Sequence, residues 1–124
     1  MRIVFHGENA ATFVEGFSDL LDGDHQIMSV GDALADAGEI ECFRTADIIV
    51  GTHLGADDPR PEKAQAYLIA AAGYDAVDFA RLVPGAKACN CHGHERPIAE
   101  YVVAGMLAHR VPLAEADKRL RDGD

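Results

Sequence analysis

Four side chains with metal-binding or acid–base chemistry lie within six positions, in the segment CNCHGH at residues 89–94. Thiolates and imidazoles are common zinc ligands, and four of them complete a tetrahedral structural site. Typical zinc sites, however, separate the ligands of a pair by two or more residues and place the pairs far apart in the chain. If Cys89 and Cys91 end a strand, they share one face while His92 points to the other. We therefore predict no metal site here, and cysteines that pack at the end of a core strand.

A turn of small residues, Ala71, Ala72 and Gly73, is a second candidate for chemistry. Small side chains allow backbone N–H groups to approach an anion closely. His94 is a third candidate, because it would project from the loop beyond the last predicted strand. Ligands of open parallel sheets bind at the carboxyl ends of the strands, so both features are expected at the ligand-binding edge.

The elements that must position these residues are short apolar strands alternating with helices. Strands are predicted at 3–6, 25–30, 47–53, 68–73 and 86–91, and helices at 9–21, 32–46, 61–67, 77–83 and 96–111. We expect Asn9 to cap the first helix and Gly38 to interrupt the second. Strands that alternate with helices and lack polar alternation favour a parallel sheet covered on both faces. The sequence thus predicts a three-layer, flavodoxin-like α/β domain of about five parallel strands.

Composition excludes several classes of protein. The 124 residues carry a formal net charge of −10, which opposes tight binding to phosphate backbones. Three cysteines do not form a secreted disulfide framework, and no signal peptide or apolar run of membrane-spanning length is present. We expect a cytoplasmic protein that binds neither nucleic acid nor membrane.

Strand ends also decide between functions of this fold class. The loop GENAAT after the first strand lacks the hydroxyl- and glycine-rich character of a flavin-phosphate site. The acids and the lysine of a receiver domain are also missing, since the strand ends offer Glu8, GTH and HGH instead. His6 ends the first strand with no matched acid partner in the sequence. Neither of these two functions is predicted.

Two segments resemble the D-isomer-specific 2-hydroxyacid dehydrogenases. LIAAAGYDAVDFARL, at residues 68–82, resembles a glycine-containing turn of that family, and the segment from residue 89 onward resembles the long apolar helix that follows. The matching residues are Gly73, Asp75, Asp78, Ala99 and Glu100. Of these, Asp75 and Asp78 are expected to be turn and helix-cap residues rather than catalysts. The resemblance covers roughly the last 55 residues and places residues 1–96 in the family's substrate domain and 97–124 in a helix leading to its dinucleotide-binding domain.

The resemblance implies reversible hydride transfer between NAD or NADP and a small 2-oxo or 2-hydroxy acid, for example glyoxylate or hydroxypyruvate. It implies that Ala71, Ala72 and Gly73 bind the substrate carboxylate and that His94 touches substrate or cofactor. It also implies a homodimer through the helix at 98–113, whose apolar surface exceeds one packing face.

The residues expected to complete such an enzyme are missing. No G-x-G-x-x-G turn occurs in the sequence, and the family's catalytic arginine, glutamate and histidine come after the position that matches Asp124. We therefore expect a substrate domain that lacks catalytic residues and does not transfer hydride alone. Two alternatives stay open: a free-standing small-molecule-binding or interaction module, and a small metal-binding protein built on CNCHGH.

Overall fold

The computed structural model describes residues 1–123 of the chain. The chain divides into two compact units, Met1–Cys91 and His92–Asp124. The elements of the first unit are β1 (Arg2–His6), α1 (Glu8–Ala11), β2 (Gln26–Val30), α2 (Ala37–Arg44), β3 (Ile48–Gly51), β4 (Ala66–Ile69) and β5 (Lys87–Asn90), with 3-10 turns at Phe17–Leu20 and Phe79–Arg81. The second unit contains α3 (Glu95–Arg110) and α4 (Leu113–Asp122).

The five strands form one sheet in the order β2-β1-β3-β4-β5, and every pair is parallel. This is the strand order of flavodoxin-like domains. The order in which successive strands are added to the sheet reverses between β1 and β3. The sequence-based prediction of a flavodoxin-like α/β fold with about five parallel strands and a long C-terminal helix is confirmed.

Apolar side chains cover both faces of the sheet. On one face Val4 and its neighbours pack against Phe43 of α2. On the other face Phe5 packs against Ala10 of α1 and against Phe17, whose ring centroid lies 5.0 Å away in an edge-on arrangement. Burying a side chain of this size stabilises the fold by about 1.5–3 kcal/mol relative to leaving it exposed. The two clusters cover the sheet on both faces.

The predicted helix at 61–67 is wrong, because residues 61–65 form an irregular segment with bends and β4 begins at Ala66. The N–H of Glu62 donates to the carbonyl of Arg44 and the N–H of Gln65 to the carbonyl of Asp47, both at 2.9 Å. These donors are used for pairing with the segment before β3, so they are unavailable to a helix.

The predicted helix at 9–21 is much shorter in the structure. Helix α1 ends at Ala11, and Gly16 then adopts a left-handed conformation with φ +75° that no continuous helix accepts. The residue at the N-cap is Gly7, and Asn9 lies inside the helix, so its predicted capping role is wrong.

The second and fourth predicted helices are also corrected in detail. Asp36 caps α2, because its Oδ1 accepts hydrogen bonds from the N–H groups of Gly38 and Glu39 at 2.7 and 2.9 Å. Gly38 therefore lies in the first turn of α2 and does not interrupt it. The segment 77–83 contains only a 3-10 turn, and Asp78 caps it by accepting from Ala80 N–H, as expected for a capping residue.

Strand β5 is exposed rather than buried. It lies at the edge of the sheet, and Cys89 and Cys91 are both exposed free thiols, whereas Cys42 is buried. The interpretation of Cys89 and Cys91 as packing residues of a core strand is therefore wrong.

The second unit consists of two helices. Helix α3 carries Pro97 in its first turn, where a missing N–H costs little. Neither α3 nor α4 buries any residue among those that the structure describes, and α4 was not predicted. Within residues 1–123, no helix combines the length and apolar character needed to cross a bilayer.

Candidate functional site

The carboxyl ends of the strands bring together residues that are distant in the sequence. His6 pairs with Gly51, Gly51 pairs with Ile69, and Ile69 pairs with Asn90 across β1, β3, β4 and β5. Ligands of open parallel sheets bind beyond this row. Two features lie there: a histidine–aspartate cluster after β1 and β3, and the turn after β4.

The first feature is built around His6, whose side chain is fully buried. Its Nε2 lies 3.3 Å from the carbonyl oxygen of Asp32, and its Nδ1 has no hydrogen-bond partner. The ring lies edge-on to Phe43 at 4.8 Å and tilted against the ring of His53 at 4.6 Å. Burial lowers the pKa of His6, and the neighbouring His53 lowers it further. A buried neutral imidazole with one unused nitrogen results.

His53 and Asp58 follow β3 and reach His6 from the adjacent loop. Asp58 Oδ2 accepts a hydrogen bond of 2.6 Å from the N–H of Gly55 and lies 4.0 Å from His53 Nε2. The backbone at His53 is held by Tyr67, whose O–H donates to the His53 carbonyl at 2.5 Å. Tyr67 is fully buried, and burial raises its pKa, so this hydroxyl keeps its proton.

Gly51 keeps the space in which these groups meet. A Cβ at this position would lie 2.8 Å from the hydroxyl oxygen of Tyr67 and 3.5 Å from Cβ of His6. Any larger residue would displace the tyrosine that holds His53.

His6, His53 and Asp58 together offer three potential metal ligands. One ligand atom from each lies within 4.8 Å of the others, and among residues 1–123 these three side chains are the group close enough together to be considered as a metal site. The cluster is not evident from the sequence, where His6 has no matched acid partner. The signal that could reveal it is that His6 ends β1 and His53 follows β3, and these two strands are neighbours in a flavodoxin-like sheet.

The turn at Ala71, Ala72 and Gly73 is the second feature, and it is anchored by its carbonyl groups. The Ala71 carbonyl accepts from Cys91 N–H at 2.9 Å, and the Ala72 carbonyl accepts from Asn90 Nδ2 at 2.7 Å. No oxygen in the described part of the chain accepts from the three N–H groups of the turn. They are therefore available to an external acceptor.

Gly73 is not required by the fold. It lacks a positive φ, and a Cβ built on it would meet no atom within 4 Å. The absence of a side chain therefore leaves open space above the turn without serving any internal contact. An external group could therefore approach the backbone of this turn closely.

His94 lies in the second unit, where it immediately precedes α3 and is half-buried. Its side chain makes no capping hydrogen bond. The loop before it is closed by Glu95, whose Oε2 accepts from Gly93 N–H at 2.9 Å. Hydrogen bonds from the backbone N–H groups of Glu95 and Gly93 lower the pKa of Glu95, and His94 and His92 add to the effect. A substrate or cofactor contact for His94 remains a prediction.

A wide cavity of about 720 Å³ opens at the opposite, amino end of the sheet. Charged residues line it, among them Arg2, Asp24, Glu41 and Lys63. Because parallel sheets bind ligands at the carboxyl ends of their strands, we place the candidate site at the histidine–aspartate cluster and the turn rather than here.

No family model and no curated protein matches this sequence. A solved structure that is similar is the pyruvate reductase of Chlamydomonas reinhardtii, with a TM-score of 0.59 and 20% sequence identity. The alignment covers 99% of this chain and 38% of that chain, so this chain spans well under half of the reductase. At this identity the likeness shows that the two share a fold.

Proposed function

We propose that this chain is the substrate domain of a nicotinamide-dependent D-2-hydroxyacid dehydrogenase. In this proposal the turn at Ala71, Ala72 and Gly73 binds the carboxylate of a small 2-oxo or 2-hydroxy acid. The observation that carries the proposal is the set of three N–H groups, at the carboxyl end of β4, for which residues 1–123 provide no acceptor. Successive backbone N–H groups form a concave site that favours anions.

Two further observations support the same function. The resemblance at Gly73, Asp75 and Asp78 falls on this turn, and the resemblance at Ala99 and Glu100 falls on α3. The fold is shared with a pyruvate reductase over nearly the whole of this chain.

The nicotinamide cofactor, NAD or NADP, would be bound mainly by residues outside this chain. The sequence has no glycine-rich dinucleotide turn, and His94 is the residue here proposed to contact the cofactor or the substrate. We therefore expect the 124 residues alone to bind the acid without oxidising NADH.

Helix α3 is proposed to mediate a homodimer through residues 98–113. Its exposed apolar side chains are Ile98, Tyr101, Val102, Val103, Met106 and Leu107. Contiguous apolar surface of this kind is typical of interaction sites. Sedimentation of the purified chain over a range of concentrations tests this proposal, and a monomer at the highest concentration would contradict it.

The carboxylate proposal is tested by adding pyruvate to the ¹⁵N-labelled chain and following its amide resonances by NMR. We expect saturable shifts for the amides of residues 71–73 and weaker binding to Ala72→Asp, which places a negative charge beside the exposed turn. Gln65→Asp adds the same charge at an exposed position before β4, at the opposite end of the strand, and should bind like the unmodified chain. Pyruvate binding that is equal in both variants, or absent from the unmodified chain, would refute the carboxylate site.

A further inference from the structure

The histidine–aspartate cluster has the donor atoms of a transition-metal site. Two imidazole nitrogens and one carboxylate oxygen are a ligand set used by catalytic zinc and by non-haem iron, which both leave a coordination position open. His6 comes from the end of β1, and His53 and Asp58 come from the loop after β3. The proposed function as a dehydrogenase substrate domain gives no role to these three residues.

The unused nitrogen of His6 is the independent observation that points to a ligand. Buried polar atoms in proteins nearly always have a partner, and a buried one without a partner is costly. With Nε2–H directed at the Asp32 carbonyl, the lone pair is left on Nδ1, which is shielded from water and without a hydrogen bond. Metal-binding histidines are oriented in this way, by a carbonyl that accepts from the other ring nitrogen.

The other two ligands are also held by neighbouring groups. Asp58 is oriented by the N–H of Gly55, and His53 is held through its carbonyl by the buried hydroxyl of Tyr67. Supporting contacts of this kind are typical around metal ligands. The side chains of His53 and Asp58 are 33% and 16% exposed, so water or a small ligand can reach a bound ion.

The spacing requires a modest contraction. Ligand atoms of a tetrahedral zinc ion lie about 3.4 Å apart, given bonds of about 2.0–2.1 Å. The three atoms here lie within 4.8 Å of one another. The side chains of His53 and Asp58 are partly exposed, so a change of side-chain rotamer can close this difference while their backbone and buried His6 stay in place.

We propose that His6 Nδ1, His53 and Asp58 bind one divalent transition-metal ion of the zinc class, with a solvent molecule or substrate oxygen completing its coordination. The oxygen-preferring ions Mg²⁺ and Ca²⁺ bind this nitrogen-rich set poorly. The alternative is that His6 is a core residue packed against Phe43 and that the cluster binds no ion. This site goes beyond the dehydrogenase proposal and differs from the sequence-based expectation that the chain binds no metal.

The test is a titration of metal-stripped protein with Zn²⁺, in competition with a chromophoric chelator. We expect one equivalent per chain, at least tenfold weaker binding to Asp58→Asn and to His53→Gln, and no effect of an excess of Mg²⁺. The matched control is His109→Gln, which removes an exposed imidazole from α3. Circular dichroism establishes that each variant is folded.

The double variant Cys89→Ser and Cys91→Ser distinguishes zinc binding at the histidine–aspartate cluster from zinc binding at CNCHGH. We expect it to retain zinc binding, and we expect the Co²⁺ form of the unmodified chain to lack a sulfur-to-cobalt charge-transfer band. Absence of stoichiometric zinc binding would overturn the proposal. Zinc binding that survives Asp58→Asn but is lost in the cysteine variant would equally overturn it, and would assign the ion to the thiols.

Discussion

The close approach at Gly51 gives a prediction whose size follows from the structure. In Gly51→Ala the new Cβ would lie 2.8 Å from the Tyr67 hydroxyl oxygen, where ordinary contacts begin at 3.4 Å, an overlap of about 0.6 Å. Overpacking a well-packed interior costs about 1–3 kcal/mol. Replacing glycine also restricts the unfolded chain, which offsets about 0.4–1 kcal/mol. Combining the overpacking cost with the restriction of the unfolded chain, we expect Gly51→Ala to lower the free energy of unfolding by about 1–2 kcal/mol.

The cause can be isolated with Tyr67→Phe, which removes the overlapping atom. Alone, this change leaves the His53 carbonyl without its partner and should cost about 1–3 kcal/mol. In the double variant the overlap no longer exists, so the combined loss should be smaller than the sum of the single losses by about 1–2 kcal/mol.

Urea unfolding followed by far-ultraviolet circular dichroism measures all three variants. Gly73→Ala is the matched control, because its Cβ meets no atom within 4 Å and its φ is not positive, so its stability should change little or rise. Additive losses, within about 0.5 kcal/mol, would refute the steric explanation.

Three further predictions concern other parts of the chain. A thiol reagent should modify exposed Cys89 and Cys91 in the folded protein but reach Cys42 only on unfolding. Burial shields the Cys42 thiol and raises its pKa. Fast reaction of all three thiols would contradict the packing of α2. Asp36→Ala should lower the free energy of unfolding by about 1 kcal/mol through loss of the α2 cap, measured by urea denaturation, and no change would mean that the cap is unimportant. Gly105→Ala should increase the helix content or thermal stability of α3. This glycine lies inside the helix and is open to solvent, where alanine is favoured over glycine by about 1 kcal/mol. A loss of helix measured by circular dichroism would contradict this prediction.

The sheet could be predicted from sequence because its strands are short apolar segments separated by polar turns. The segment before β4 could not, since what determines it is tertiary: the carbonyls of Arg44 and Asp47 accept the N–H groups that a helix would use. Helix periodicity at Phe13 and Phe17 was misleading for a different reason. Helix α1 ends at Ala11, and the left-handed Gly16 starts a separate 3-10 turn from which Phe17 still reaches the core.

The two candidate sites differ in how much of each can be predicted from the sequence. The turn at Ala71, Ala72 and Gly73 is contiguous, so one segment of sequence, together with the family resemblance that it carries, is enough to propose it. The histidine–aspartate cluster depends on the register of β1 with β3, which places His6 beside Gly51 and so close to His53. The register between strands depends on how side chains pack across the whole sheet. The residue types within one segment of sequence do not show that packing.

The two proposed sites lie on one edge and should influence each other electrostatically. His6 and Ile69 are separated by two strand spacings, roughly 10 Å, so an anion at the turn after Ile69 lies about that far from an ion on His6. A divalent cation and a carboxylate at about 10 Å attract by roughly 1 kcal/mol in water and roughly 3 kcal/mol at an effective dielectric constant near 20. Saturating Zn²⁺ should therefore tighten pyruvate binding at least several-fold at low salt.

The Zn²⁺ effect on pyruvate should shrink as ionic strength rises, because screening acts over about 8–10 Å. Linkage requires pyruvate to tighten Zn²⁺ binding by the same factor, and Asp58→Asn should abolish both effects. Calorimetric titrations in each order measure the two factors. If pyruvate affinity at low salt is the same with and without bound Zn²⁺, the two ligands do not occupy the same edge of the sheet.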